Sequence, residues 1–255
     1  LSHIYTNEIG DCHRNADYHI HDLDMFSGYC AGWSLRALIE EGFNGVENKI
    51  ESNAPKHLSS AVAQMINFLG TLQNEWAGAQ AFSSFDTYLS PYVKKYELEL
   101  RDDMERFGMK FDDEKKKEEF INEKVYKYVF QNIQSFVFNS NIPSRWGTQT
   151  PFTNITMDWK CPDDLKDRRL KLGGEYFKYT FGELQHEMDL INQAFIEVML
   201  KGDAKGRTFT FPIPTYNITK DFDWEDPKTL PLFEMTAKYG VPYFQNFINS
   251  DLNPG

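Results

Sequence analysis

Residues 18–35 read YHIHDLDMFSGYCAGWSL, and this stretch decides the fold class. The alternation over Tyr18, His19, Ile20, His21 and Asp22 predicts a strand. Ser34 then predicts the cap of a helix carrying Leu35, Leu38 and Ile39, which Gly42 stops. A strand that feeds directly into a helix is the opening of an α/β unit, and the same alternation recurs down the chain.

Moving outward, Leu58, Ala61, Val62, Met65, Ile66 and Leu69 fall on one helical face ahead of Gly70. Residues 74–84, NEWAGAQAFSS, are rich in small residues that allow close backbone approach, and they lead into the aromatic run 85–92. Charge density rises from Lys94 to Gln134, where Asp112, Asp113 and Glu114 mark a helix start and Phe120, Ile121, Val125, Val129 and Ile133 repeat helically. After Phe136, Val137 and Phe138 the pattern predicts a strand-like stretch, a loop over 143–149 and a strand through 152–157. Thr180 and Glu183 form a capping box before a helix with Leu184, Met188, Ile191, Phe195 and Val198, closed by Gly202. Thr208 to Ile213 reads as a strand, Lys228 to Tyr239 as a helix ended by Gly240, and 242–248 as a last strand. Strands alternating with long helices imply an α/β architecture with much parallel pairing, curled into a barrel, as a single domain over 1–255 without repeats or linkers.

The 255 residues contain 41% hydrophobic side chains, which excludes global disorder and fibrous classes. A net charge of −11 with no basic patch argues against nucleic-acid and anionic-membrane partners. Lys115, Lys116 and Lys117 sit among acids and read as a solvated helix face. No long apolar span or signal peptide is visible, so a cytoplasmic protein is expected. Cys12, Cys30 and Cys161 form neither a disulfide framework nor a CxxC pattern, which fits a reducing compartment.

His19 and His21 share one side if the segment is a strand, and Asp22 and Asp24 lie close enough to add carboxylates. No third His or Cys recurs at ligand spacing, so no metal is assigned; a substrate-facing pair and a core histidine pair both remain open. Cys30 lies among small neighbours at a strand-to-helix transition that aims its sulfur at a cavity, although a lone cysteine is also a small buried hydrophobe. Cys12 and Cys161 have no adjacent base and read as structural. Asn74-Glu75 is the pair that barrel glycosidases use, given a second carboxylate within about 5–10 Å of Glu75. Arg145, beside Trp146 and Gly147, fits either a phosphate clamp or a loop salt bridge.

Five successive segments, YHIHDLDMFSGYCAGWSL, QNEWAGAQAFSSFDTYLSPYV, SRWGTQTPFTN, GRTFTFPIPTYNIT and KYGVPYFQNFINSDLNP, together resemble the anaerobic, class III ribonucleoside-triphosphate reductases. The resemblance spans essentially the whole chain. It implies the first portion of a ten-stranded α/β barrel with long flanking helices, and a glycyl-radical mechanism in which a thiyl radical on a finger loop takes the 3′ hydrogen of a ribonucleotide. Cys30 matches the cysteine of the first barrel strand, which supplies hydrogen as the 2′ hydroxyl leaves as water. His19 and His21 match the His-x-His-Asp strand at the active-site end and are assigned to substrate binding.

Further implications concern control and partners. The segment 78–85, with Gly78, Ala79, Gln80 and Ser83, resembles the first specificity loop, and 144–149, with Arg145 and Gln149, the second. These loops report nucleotide effectors, ATP or a dNTP, to the active site. The helix of 56–69 is expected at a dimer face where effectors bind. A homodimer, a radical S-adenosylmethionine activase and formate as terminal reductant also follow from the resemblance. Leu1 at the start and Asn253-Pro254-Gly255 at the end suggest a fragment. The finger-loop cysteines, the glycyl-radical segment, the four-cysteine zinc site and the ATP-binding cone of the family do not occur in it, so no cofactor is expected on this segment and the polypeptide alone is expected to be inactive. A pyruvate formate-lyase relative is the alternative glycyl-radical reading.

Overall fold

The computed structural model describes residues 1, 3–21, 23, 28–43, 51–73, 75–143 and 150–250. Asp22, Asp24, Asn74, Arg145, Trp146, Gly147 and Gln149 lie outside the described residues. In chain order the elements are α1 (Asn7–Arg14), β1 (Ala31–Trp33), α2 (Leu35–Glu41), α3 (Leu58–Leu72), β2 (Gln80–Phe82), α4 (Phe85–Arg106) and α5 (Glu114–Ser140). There follow β3 (Thr153–Met157), the hairpin β4 (Lys171–Leu172) and β5 (Glu175–Tyr176), α6 (Gln185–Lys201), β6 (Ile213–Ile218), α7 (Leu230–Tyr239) and β7 (Tyr243–Asn246).

Five strands form one sheet in the order β1-β2-β3-β6-β7, with every neighbouring pair parallel. Each strand therefore pairs with the next strand of the sheet in chain order. Parallel neighbours require a crossover, and helices supply each one. Along β3 the burial alternates: Thr153, Ile155 and Met157 are buried while Asn154 and Thr156 are half-buried. The buried face joins Phe82, Tyr216 and the inner faces of α4, α5 and α6 in a core that includes Phe85, Phe136, Ile191 and Phe195. Truncating one such fully buried aliphatic or aromatic residue costs about 2–5 kcal/mol.

Local signals account for several helix ends. Ser34 Oγ accepts the Ala37 amide at 3.1 Å, and Gly42, at φ +88°, ends α2. Asp113 caps α5 through the Lys116 amide at 2.8 Å. The Thr180–Glu183 capping box precedes a 3₁₀ turn that runs into α6, which Gly202 closes. Pro91 lies inside α4 and cannot donate to the Thr87 carbonyl one turn back; Ser90 Oγ donates to that carbonyl instead, at 2.8 Å. Lys115, Lys116 and Lys117 pair along the surface of α5 with Glu119, Asp112 and Glu114.

The structure departs from the sequence expectations at six places. His19 to His21 is not a strand: the Ile20 amide donates to His13 Nδ1 at 3.0 Å rather than to a ladder. Cys30 accordingly stands just before β1, not on it. Gly70 lies within α3, which runs on to Leu72. The stretch after Phe138 belongs to the end of α5. The segment 78–85 is not a free loop, since β2 occupies its centre. The strand expected at 208–213 begins only at Ile213 and continues through Pro214 to Ile218. Prolines at 212 and 214 are ordinary strand breakers, and upstream of them Asn141 Oδ1 accepts the amides of Thr210 and Phe211 at 2.9 and 3.0 Å, which takes those donors away from any ladder.

Candidate active site

Cys30 leads into β1 at the N-terminal rim of the sheet and is exposed. Two glycines permit this placement by having no side chain. A Cβ on Gly78 would stand 2.7 Å from Cys30 Sγ and 2.8 Å from the Tyr29 carbonyl, and the Gly78 amide donates to that carbonyl at 2.6 Å. A Cβ on Gly28 would meet the Trp76 ring at 2.0 Å. A Cβ at Gly78 would force the Cys30 side chain and the Tyr29 backbone to shift, and one at Gly28 would force the Trp76 ring or its surroundings to shift. Ala79 completes the contact by accepting the Ala31 amide at 3.0 Å.

Behind this rim, Gln80 is buried and locks β1 to its neighbours. Its Oε1 accepts the Trp33 indole N–H at 3.0 Å, and its Nε2 donates to the Leu69 carbonyl on α3 at 3.1 Å. Trp33 also meets Phe68 and Trp76 edge to face. The strand after Cys30 is thus held by a buried hydrogen-bonded amide, while the cysteine itself faces out. Ser83, half-buried, follows β2 at the opposite end of the sheet.

His19 and His21 are exposed on the chain that precedes this rim. Their ring centroids are 5.5 Å apart, His13 lies 5.4 Å from His19, and His21 lies 5.7 Å from Tyr29, the neighbour of Cys30. A file of rings therefore runs from α1 to the cysteine. Sequence spacing pairs His19 with His21; His13, separated from them by a turn, enters only through the fold. Among the described residues no group of three His, Cys, Asp or Glu converges as a metal ligand set, so these residues offer no zinc site. None of the three cysteines is in a disulfide, and burial pushes the Cys161 thiol up to about 12, which leaves Cys30 as the exposed sulfur.

A second polar centre lies at the C-terminal end of β2, β3 and β6, and the sequence reading missed it. Asp86, in the first turn of α4, is fully buried and accepts the amides of Asp158, Trp159 and Thr87 at 2.8, 3.0 and 3.1 Å and Asn192 Nδ2 at 2.8 Å. Asp158, directly after β3, accepts from Thr87 Oγ1 at 2.6 Å and Asn217 Nδ2 at 2.8 Å. Burial, followed by the negative charge of Asp86, pushes the Asp158 carboxyl up to about 7. An aspartate inside an aromatic and apolar run, FDTYL, was the available signal, because such a residue must find partners when it is buried.

Glu75 is exposed on the turn after α3. Among the described residues no helix is long and apolar enough to cross a membrane.

Comparison with known proteins agrees with this architecture. The family model for anaerobic ribonucleoside-triphosphate reductase matches residues 1–255. The anaerobic ribonucleoside-triphosphate reductase of Enterobacteria phage T4 is 26% identical over 155 residues, covering 58% of this chain and 24% of that protein. That of Escherichia coli K12 is 24% identical over 159 residues, covering 60% and 21%. The chain thus spans about a quarter or less of the length of these curated relatives. Among solved structures, the anaerobic ribonucleotide reductase from Thermotoga maritima in complex with dATP and CTP shares the fold with a TM-score of 0.66 and 20% identity, over 96% of this chain and 37% of that one. The same enzyme with dATP bound in the specificity site gives 0.65 at 20% identity, over 96% and 38%. The five-stranded, consecutively ordered parallel sheet is therefore a partial piece of a reductase-type α/β barrel, and neither the glycosidase nor the pyruvate formate-lyase alternative is favoured. With the family model matching its whole length, this chain belongs to the anaerobic ribonucleoside-triphosphate reductase family.

Proposed function

We propose that the protein containing this chain reduces ribonucleoside triphosphates to 2′-deoxyribonucleoside triphosphates for DNA synthesis, and that Cys30 is the reducing thiol on the substrate side of the barrel. The observation that carries this reading is an exposed thiol held at the sheet rim by Gly28 and Gly78 in a chain that matches the family throughout. A glycyl radical carried elsewhere in the protein supplies the initiating chemistry. Cys30 gives hydrogen to the substrate as the 2′ hydroxyl departs as water. His19 and His21 flank that thiol through Tyr29 and bind the nucleotide at the same rim.

Residues 78–85, through Gly78, Ala79, Gln80 and Ser83, and 144–149, through Arg145 and Gln149, transmit the identity of an ATP or dNTP effector. Such transmission requires contacts that differ between effectors. A homodimer, a radical S-adenosylmethionine activase, formate as reductant, a zinc site outside this segment and a cytoplasmic location complete the proposal. Within it, residues 1–255 are the first portion of the catalytic domain, inactive without the rest.

The test is Cys30→Ala in the full-length protein after activation. Deoxyribonucleotide formation is expected to disappear while the glycyl radical signal still develops. Turnover at the wild-type rate in that variant overturns the assignment of Cys30.

A further inference from the structure

Two neighbouring buried carboxylates without a cation titrate as a pair, and the geometry decides which one carries the proton. Asp86 and Asp158 are 0% and 1% exposed, and among the described residues the hydrogen bonds each accepts come from amides and a hydroxyl, not from Lys or Arg. The side chains facing them are Thr87 and Tyr88 from α4, Cys161 beyond β3, Met188 and Asn192 from α6, and Tyr216 and Asn217 from β6. The titratable ones, Tyr88, Cys161 and Tyr216, are uncharged near neutrality, and burial pushes each further up.

Burial pushes both carboxyls up, but the two acids are not equally provided for. Four N–H donors saturate Asp86, which also sits in the first turn of α4, where the helix dipole favours an anion. Asp158 has two donors, and the Ser84 hydroxyl beside it, buried without a formed hydrogen bond, holds the carboxyl down less than burial and the Asp86 charge push it up. A proton at Asp158 removes one of two like charges and leaves the acid able to hydrogen-bond with that hydroxyl. Ser84 is itself pinned: its backbone is left-handed at φ +51°, and its amide donates to Thr156 Oγ1 at 3.0 Å.

We propose that Asp158 carries a proton shared with Ser84 Oγ beside the ionised Asp86, and that Asp158 is thereby a positioning residue for the turn at Ser83 and Ser84 that ends the 78–85 segment. The proton requires only the geometry above; its consequence for substrate choice rests on the reading of 78–85 as effector-responsive. Because the folded state keeps a proton that the unfolded chain releases at the ordinary 3.8, stability falls as pH rises from there towards about 7 and levels off above it.

The experiment uses the full-length protein, wild type and Asp158→Asn, from about pH 5 to about pH 8. Asparagine keeps an acceptor for Thr87 and donates to Ser84 Oγ, so it mimics the protonated acid. The expected results are a melting temperature that falls with pH in the wild type and loses that component in the variant, and a carboxylic-acid carbonyl infrared band that is present at low pH and absent in Asp158→Asn. With one effector held constant, the preference between two ribonucleoside triphosphates shifts with pH in the wild type and not in the variant. An identical pH slope of melting in both proteins, or the same infrared band in both, overturns the shared proton. A preference that shifts identically in both overturns the positioning role. If preference ignores the effector altogether, the loop assignment fails instead, and the melting and infrared results still judge the proton.

Discussion

The two ends of the parallel sheet are built on opposite principles. At the N-terminal rim Cys30, His19 and His21 are exposed, and the chain around the thiol is shaped by what is left out: two glycines with no room for a Cβ. At the C-terminal end Asp86, Asp158, Thr87, Asn192 and Asn217 are buried and joined by hydrogen bonds across four elements. The rim leaves its thiol and imidazoles open to solvent. The buried end can hold α4, α6, β3 and β6 in register because its two carboxylates are bound by side chains and amides from all four.

The largest effect is expected at the buried end. Asp86→Asn replaces an acceptor of four N–H bonds by a group that turns an NH₂ towards them, and should destabilise the fold by about 3–5 kcal/mol in chemical denaturation. A loss below about 1 kcal/mol would mean that this knot does not hold the sheet and helices together. At the rim, Gly78→Ala should lower stability by about 1–3 kcal/mol. Its larger consequence is functional, since the new methyl displaces Cys30 Sγ and the Tyr29 carbonyl, so turnover of the full-length protein should fall further than its stability. Wild-type turnover in Gly78→Ala would show that the thiol does not need its observed place.

Between the two ends, Gln80→Leu removes the bonds to Trp33 and Leu69 and should destabilise by about 1–3 kcal/mol, read as a shift in denaturation midpoint. Smallest of all, Ser34→Ala removes the cap of α2 and should lower stability by about 1 kcal/mol with no change in substrate preference.

The same contrast explains what was legible in the sequence. Helices announced themselves, because their caps and stops act within a few residues: Ser34 and Gly42, Asp113, Thr180 with Glu183, and Gly240 at φ +69° all behave as the local pattern implies. Strands were harder. With three residues each, β1 and β2 are too short for alternation to register, and in β6 the prolines concealed a strand that its neighbours impose. The polar side chains at 19–21 imitated a strand whose backbone is instead fastened by His13. Cys30 was found through motif resemblance, whereas Asp86 and Asp158, 72 residues apart at their closest bond, have no shared local pattern and become a pair only once α4 and β3 meet.

The central claim is that Cys30, at an open rim, faces the ribonucleotide. Its most direct test is alkylation of the full-length protein with and without a saturating ribonucleoside triphosphate, quantified at each cysteine by mass spectrometry. Cys30 should react quickly in the free protein and slow markedly when nucleotide is bound, while Cys161, with its thiol pushed up to about 12 by burial, reacts slowly in both. Labelling of Cys30 that nucleotide leaves unchanged would contradict the placement of substrate against this thiol.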